Sequence, residues 1–221
     1  MQITIEELFC LEHTLAATYL KQFKYPWEAL RGISSLILEL GKSLDCSEYV
    51  KHGDDVWIHK SAKVFDSAYI AGPCIVGPET EIRHCAFIRG SALIGQHCVI
   101  GNSVEIKNAI IFDDCQVPHF NYVGDSILGY HAHMGAGSIT SNFKAGGKNI
   151  SIHAEQDIVT GLRKIGAMLG DYADIGCNTV LNPGTIVGKN TTIYPCCCVR
   201  GIVPENSIYK TGAIIVNKDE R

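Results

Sequence analysis

Two basic residues each follow an isoleucine and stand eighteen positions apart, Arg89 after Ile88 and Lys107 after Ile106. Just downstream, polar and aromatic residues crowd into the stretch Val117-Pro118-His119-Phe120-Asn121-Tyr122-Val123-Gly124-Asp125. Two cations held on adjacent strands, about 4.8 Å apart, repel each other unless an anion or a carboxylate sits with them. A phosphate would answer that repulsion, and side chains splayed into water are the simpler alternative. His119 adds an imidazole, whose unperturbed pKa near neutrality suits it to accept a proton at working pH. The chain has nine histidines, so His119 acquires a role only through its neighbours.

The element that must position these groups is a ladder of aliphatic residues on a six-residue step. It runs Ile58, Val64, Ile70, Val76, Ile82, Ile88, Ile94, Ile100 and Ile106, and resumes with Leu169, Ile175, Leu181, Val187, Ile193 and Val199. Neither the helical period of 3.6 nor the strand period of 2 gives this spacing. Hexapeptide repeats instead predict a parallel β-helix, each rung laying one short strand, turning a corner and sending one aliphatic into a common core. If three rungs close a coil, Arg89 stacks on Lys107. The ladder breaks near Pro118, which takes a rung position, and a break carrying polar and aromatic groups is where a solenoid would place function.

Composition limits the classes of partner. The 221 residues are 46% hydrophobic with 22 glycines, enough for a sizeable core in one domain with an appendage. A net charge of -4 argues against nucleic acid. No run of eighteen apolar residues and no basic-then-apolar start is found, which argues against a membrane segment or a signal peptide. The ten cysteines contain no C-x-x-C pair. Cys74, Cys98 and Cys177 lie two residues from a ladder aliphatic, as small packed side chains, while consecutive Cys196, Cys197 and Cys198 alternate direction along a strand. The reading is reduced thiols in a cytoplasmic protein, with a zinc site as the alternative.

The fold expected is mainly β, with residues 1–50 as an N-terminal helical segment, 51–203 as the β-helix and 204–221 as a C-terminal tail. Thr4 with Glu7 forms a capping-box pattern ahead of Leu8, Leu11, Leu15 and Tyr19, and a second helix starts at Pro26 and stops near Gly41. These helices would cover an end or flank of the coils. Residues 141–163 have no ladder and must leave the coil as a loop. Ala213-Ile214-Ile215-Val216 would add a final strand capping the core or enclose a ligand.

Several pieces, in order, resemble the hexapeptide acyltransferases. They are Val104-Glu105-Ile106-Lys107, the stretch Pro118 to Asp125, Met134-Gly135-Ala136-Gly137-Ser138-Ile139-Thr140-Ser141-Asn142, Thr160-Gly161-Leu162-Arg163-Lys164-Ile165-Gly166-Ala167 and Leu181-Asn182-Pro183-Gly184. The run is similar to the acetyltransferase half of bifunctional N-acetylglucosamine-1-phosphate uridyltransferase/glucosamine-1-phosphate acetyltransferases, and still more to the archaeal-type sugar-1-phosphate nucleotidylyltransferase/acetyltransferases. The resemblance implies a left-handed parallel β-helix, a homotrimer with sites between subunits, and acetyl-CoA as co-substrate with no metal required. It implies that Arg89 and Lys107 hold a sugar phosphate, that Tyr122 contacts the sugar and that His119 takes the proton from the attacking amine. Glu105 would position the amine or the imidazole, or is a plain surface carboxylate. Asn142 and the backbone at Ala136 would lie near the thioester, with Phe143 beside them, where donors can stabilise an oxyanion. Lys148, after Ala145-Gly146-Gly147, would reach a neighbouring subunit's site.

The chain also departs from that pattern. His133 stands in the sugar site in place of asparagine, Cys177 near coenzyme A in place of serine, and Pro195 in place of a small residue. His131 and His133 would share a face as stacked surface imidazoles. The function expected is N-acetylation of an amino-sugar phosphate or nucleotide-linked amino sugar by direct attack of the amine. The alternatives are a catalytically silent assembly or regulatory coil and a metal-dependent carbonic-anhydrase-like enzyme, although His84, His97 and His119 do not repeat the latter's spacing.

Overall fold

Once in nearly every rung the backbone enters the left-handed region, three residues before the aliphatic that fills the core. Ser91, His97, Ser103, Asn108, Asp114 and Phe120 all have φ between 50° and 59°. Such a residue turns the chain through a corner without lengthening the coil, and Asn, Asp and Ser tolerate it through short side chains that bond locally. The computed structural model describes residues 3–218, and in it these corners join short strands into a parallel β-solenoid of about nine turns.

Three walls run along the axis. The first holds Tyr69–Ile70, Phe87–Ile88, the start of Glu105–Ile111, the start of Tyr122–Leu128, Ile139–Thr140, Val180–Leu181 and Cys198–Val199. The second holds Cys74–Val76, Ala92–Ile94, the ends of the two seven-residue strands, Ala167–Leu169 and Thr185–Val187. The third is the nine-stranded sheet from Lys63–Val64 through Ser207–Lys210 to Ile214–Asn217. The ladder residues from Ile82 to Ile106 and from Leu169 to Val199 are 0–1% exposed.

The ladder does not break at Pro118. It shortens. Ile88 lies opposite Ile106, eighteen positions on, but Ile94 lies opposite Ile111, Ile106 opposite Val123 and Ile111 opposite Leu128, each seventeen on. Two rungs of five residues therefore move the inward position onto Ile111, Val117, Val123, Leu128 and Met134, all fully buried. Val117, not Pro118, is the rung residue, and a search for strict six-residue steps loses it.

The N-terminal segment covers the second wall. Strands of this wall are buried on both faces, as in Ala92-Leu93-Ile94 and Ala167-Met168-Leu169. The central residue of each triplet points outward and needs cover, which the helix Ile33–Ser43 and the turns before it supply. The Thr4/Glu7 capping box forms, but its helix ends at Leu8, and the rest of the expected first helix is a 3-10 turn at Leu11–His13 and a single turn at Ala17–Leu20. Tertiary bonds interrupt it: the Cys10 N–H donates to Asp171 Oδ2 at 2.7 Å and the Asp171 N–H to the Leu8 carbonyl at 3.0 Å. The second helix begins as a 3-10 turn at Pro26–Gly32 and is α-helical only from Ile33.

Both ends of the solenoid carry an antiparallel strand, Tyr49–His52 on Val56–His59 and Ile214–Asn217 on Ser207–Lys210. These strands pair edges that would otherwise template association. After Thr140 the chain leaves the coil and returns at Ala167–Leu169, and this excursion includes a hairpin of Ser151–Ile152 with Ile158–Val159. Cys98 and Cys115 fill inward positions, and burial pushes the Cys74 thiol up to about 12. Cys197 is buried between exposed Cys196 and Cys198, as alternation requires, whereas Cys177, expected to pack, is exposed because it stands on a corner.

Asp171 is the main polar staple between arm and coil, accepting also from the Tyr130 N–H at 2.9 Å. Its burial raises the carboxyl pKa above the ordinary carboxylate range. Asp171→Ala orphans two backbone donors and should cost about 2–3 kcal/mol. The expected result is a lower Tm together with faster amide hydrogen exchange confined first to Cys10 and Tyr130.

Candidate active site

The first wall brings together most of the anion-binding candidates. Arg89 and Lys107 stand one above the other, each one residue past an aligned isoleucine. Neither cation is bare. Arg89 Nη1 donates to Glu105 Oε1 at 2.7 Å, and that bond with the Glu105 charge raises the guanidinium pKa still further. Lys107 Nζ lies 3.1 Å and 3.2 Å from the two oxygens of Asp125. Carboxylates thus answer the repulsion that the spacing suggested a phosphate would answer. Glu105 is the partner of Arg89 and does not reach His119 or its ring.

Asp125 is the centre of a second column. It occupies a corner with φ 49°, between the corner residue Asn108 and Asn142. Asn108 Nδ2 donates to Asp125 Oδ1 at 2.8 Å and Asn142 Nδ2 donates to Oδ2, so with Lys107 both oxygens are occupied although the side chain is only 6% exposed. The same Asn142 amide donates to Tyr122 Oη at 2.9 Å. Both its hydrogens are therefore committed, and Asn142 is a clamp on Tyr122 and Asp125, not the free oxyanion donor expected of it. Burial first, then the Asp125 charge, raises the Tyr122 pKa, so the phenol keeps its proton. Its oxygen accepts from Asn142, which leaves that proton to donate outward. Gly124 makes the arrangement fit, since a β-carbon there would collide with the Tyr122 hydroxyl and the Asn142 amide.

His119 stands elsewhere, at the end of Gln116–His119 on the third wall, where the chain turns the corner toward Tyr122. Its ring is exposed. The corner itself is rigid: the His119 N–H donates to Asn121 Oδ1 at 3.0 Å, and Asn121, 3% exposed, donates to the Gly135 carbonyl at 2.8 Å and Ser138 Oγ at 3.0 Å. Asn121 had no role in the sequence reading. Its signal was a polar residue in the inward slot two before a ladder aliphatic.

The candidates for coenzyme A fall below His119 in one line. His119, Ala136, Cys177 and Pro195 each stand two residues past the aligned residues Val117, Met134, Ile175 and Ile193. Backbone bonds tie the corners together, Gly137 N–H to His119 O at 3.0 Å, Asn178 N–H to Ala136 O at 2.8 Å and Cys196 N–H to Cys177 O at 2.8 Å. His133 faces out from the third wall and its Nδ1 lies 2.8 Å from Asp174 Oδ1, a bond that holds the Asp174 carboxyl below the usual range. His131 does not stack on it. As a corner residue with φ 58° it stacks on Tyr172 instead, with ring centroids 5.4 Å apart. No group of three or more metal-capable side chains occurs among the described residues.

Phe143 and Lys148 lie on the excursion, both exposed. Phe143 pairs by a β-bridge with Lys164 and lines a cavity of about 370 Å³ with Leu30, Arg31, Asn108, Asp125, Leu162 and Arg163. Arg31 was not singled out in the sequence, because its reach to this site depends on the N-terminal arm folding over the coil, where its Nη2 donates to the Gly161 carbonyl at 3.1 Å.

Residues 70–162 match the family model of the GMPPB C-terminal domain. The "Bifunctional protein GlmU" of Methanococcus maripaludis is 34% identical over 114 residues, 51% of this chain and 28% of that protein. The "Bifunctional sugar-1-phosphate nucleotidylyltransferase/acetyltransferase" of Sulfurisphaera tokodaii is 31% identical over 48% of this chain and 26% of its own length. The GlmU of Staphylococcus epidermidis is 30% identical over 162 residues, 73% of this chain and 32% of that protein. The chain thus spans about a third or less of the curated relatives it matches. Over the coils it is a hexapeptide-repeat protein similar in sequence to these bifunctional proteins.

Proposed function

We propose that the chain transfers an acetyl group from acetyl-CoA to the amine of an amino-sugar phosphate or a nucleotide-linked amino sugar. The observation that carries this reading is the column His119, Ala136, Cys177, Pro195 on one corner, a straight track of exposed and small groups leading to an imidazole. An extended pantetheine arm laid along that track would bring its thioester to His119. The name of the Sulfurisphaera tokodaii relative, which pairs acetyl transfer with sugar 1-phosphates, supports the same class.

In this reading the amine attacks the thioester carbon while His119 accepts its proton, and the thiolate of coenzyme A leaves. A primary amine is a competent nucleophile once deprotonated, so no acyl-cysteine at Cys177 is needed. The Tyr122 hydroxyl donates to the sugar. Arg89 and Lys107, each with a carboxylate, orient the substrate through the hydrogens their ion pairs leave over. His133, held by Asp174, reaches the sugar from the rim, and Lys148 reaches the site of a neighbouring copy. Since His119 faces outward from a corner, a second copy of the chain would close the site, and exposed Phe120, Tyr69 and Phe87 give such a copy an apolar seat. We infer a homotrimer working in the cytoplasm.

The carboxylates on Arg89 and Lys107 favour one rival, a silent assembly coil. Thiol release from acetyl-CoA over a panel of amino sugars, their 1-phosphates and their nucleotide derivatives separates the two. Turnover on at least one phosphorylated member is expected, and none on any member rejects the reading. His119→Ala should lower kcat by about 10²–10⁴ with circular dichroism unchanged, whereas an unaltered rate removes His119 as base. Sedimentation equilibrium should return a trimer, and a monomer at assay concentration with full activity would rule out a shared site.

A further inference from the structure

The cavity lined by Leu30, Arg31, Phe143, Leu162, Arg163 and Lys164 gathers three cations beside the proposed site. We propose that it binds the nucleoside diphosphate part of a nucleotide-linked amino sugar, and so selects such substrates over free sugar 1-phosphates. This rests on the amine-acetylation reading above.

Charge is the first argument. The chain is acidic overall, at -4, yet three cations converge on one hollow. The cations of the first wall are already matched, Arg89 by Glu105 and Lys107 by Asp125. Arg163 and Lys164 form no ion pair among the described residues, and Arg31 uses one guanidinium nitrogen on the Gly161 carbonyl. The single carboxylate in the lining is Asp125, whose oxygens are taken by Lys107, Asn108 and Asn142. The hollow therefore keeps a net positive charge that a polyanion would neutralise, and arginine forks suit phosphate oxygens.

Shape and polarity narrow the class. Phe143 is 46% exposed, with Leu30 and Leu162 beside it, so part of the lining is apolar and flat. Inorganic phosphate or a sugar monophosphate would leave that face uncovered, whereas a base stacks on an aromatic ring. The volume of about 370 Å³ lies in the range of small-ligand sites. Position completes the argument: Asp125 forms the floor, and its clamp Asn142 bonds to Tyr122, so a ligand here lies next to the phenol proposed to touch the sugar. The lining comes from one corner of the coil together with the N-terminal arm and both ends of the excursion, and the hexapeptide ladder dictates neither arm nor excursion.

Calorimetry on the full chain, with coenzyme A saturating so that its own nucleotide end is satisfied, tests this with UDP, GDP and inorganic pyrophosphate. At least one nucleoside diphosphate should bind about tenfold or more tighter than pyrophosphate, the size of one good additional contact. Phe143→Ala should remove that advantage, and Arg163→Ala should weaken nucleotide and pyrophosphate alike by about tenfold. Pyrophosphate binding as well as the nucleotides, no nucleotide binding, or indifference to both substitutions would overturn the assignment. Equal turnover of free sugar 1-phosphates and nucleotide sugars would overturn it while leaving acetyl transfer intact. Nucleotide binding with no turnover on any amine would support the cavity and defeat the acetylation reading instead.

Discussion

Hydrogen bonds that run along the solenoid axis hold every coil in register with the next, and the rest of the structure follows from that register. Each strand is only two to seven residues long, so no coil is stable by itself and each relies on its neighbours. Register makes columns. A residue type placed at one position of a rung meets the residue seventeen or eighteen positions away, and meets it about 4.8 Å distant. Asn108, Asp125 and Asn142 are such a column, and so are His119, Ala136, Cys177 and Pro195, where the excursion lengthens the step from Ala136 to Cys177 to 41 positions. The corner conformation adds direction, because left-handed backbone at Asn108 and Asp125 turns their side chains toward each other.

Electrostatics then decides what each column can do. A carboxylate as buried as Asp125 survives only if its lone pairs are filled, and removal of one partner of such a pair commonly costs about 3–5 kcal/mol. Here an ammonium and two amides fill them, which sets Tyr122 through Asn142 as a by-product. The Arg89 and Glu105 pair is half exposed, so water screens it and it contributes little to stability. One pair thus belongs to the frame, and the other adds little to it.

The N-terminal arm assigns the walls their tasks. By covering the second wall, whose strands are apolar on both faces, it leaves the first and third walls and the corner between them to solvent. The same arm carries Leu30 and Arg31 to the edge of the first wall, where the Leu30 carbonyl accepts from Asn108. Cover and site are one packing event.

The sequence by itself determined the coil, because a six-residue step of Ile and Val admits few other structures, and it determined that Arg89 stacks on Lys107 and that Cys197 turns inward. It also singled out the stretch from Val117 to Asp125 as a candidate site because the ladder looked broken there, whereas the rung only shortens by one residue and a fixed period reads that as a break. Only the tertiary structure decided which carboxylate each cation meets, since Glu105 and Asp125 lie sixteen and eighteen positions from their partners and rotamers choose between them. It alone decided that Asn142 is fully engaged, that His131 turns to Tyr172 while His133 turns to Asp174, and that Arg31 joins Arg163 and Lys164 around one hollow. The physical reason is that a repeat specifies neighbours within the coil, whereas the arm and the excursion carry no period, and where they dock depends on surface that exists only after the coils have stacked.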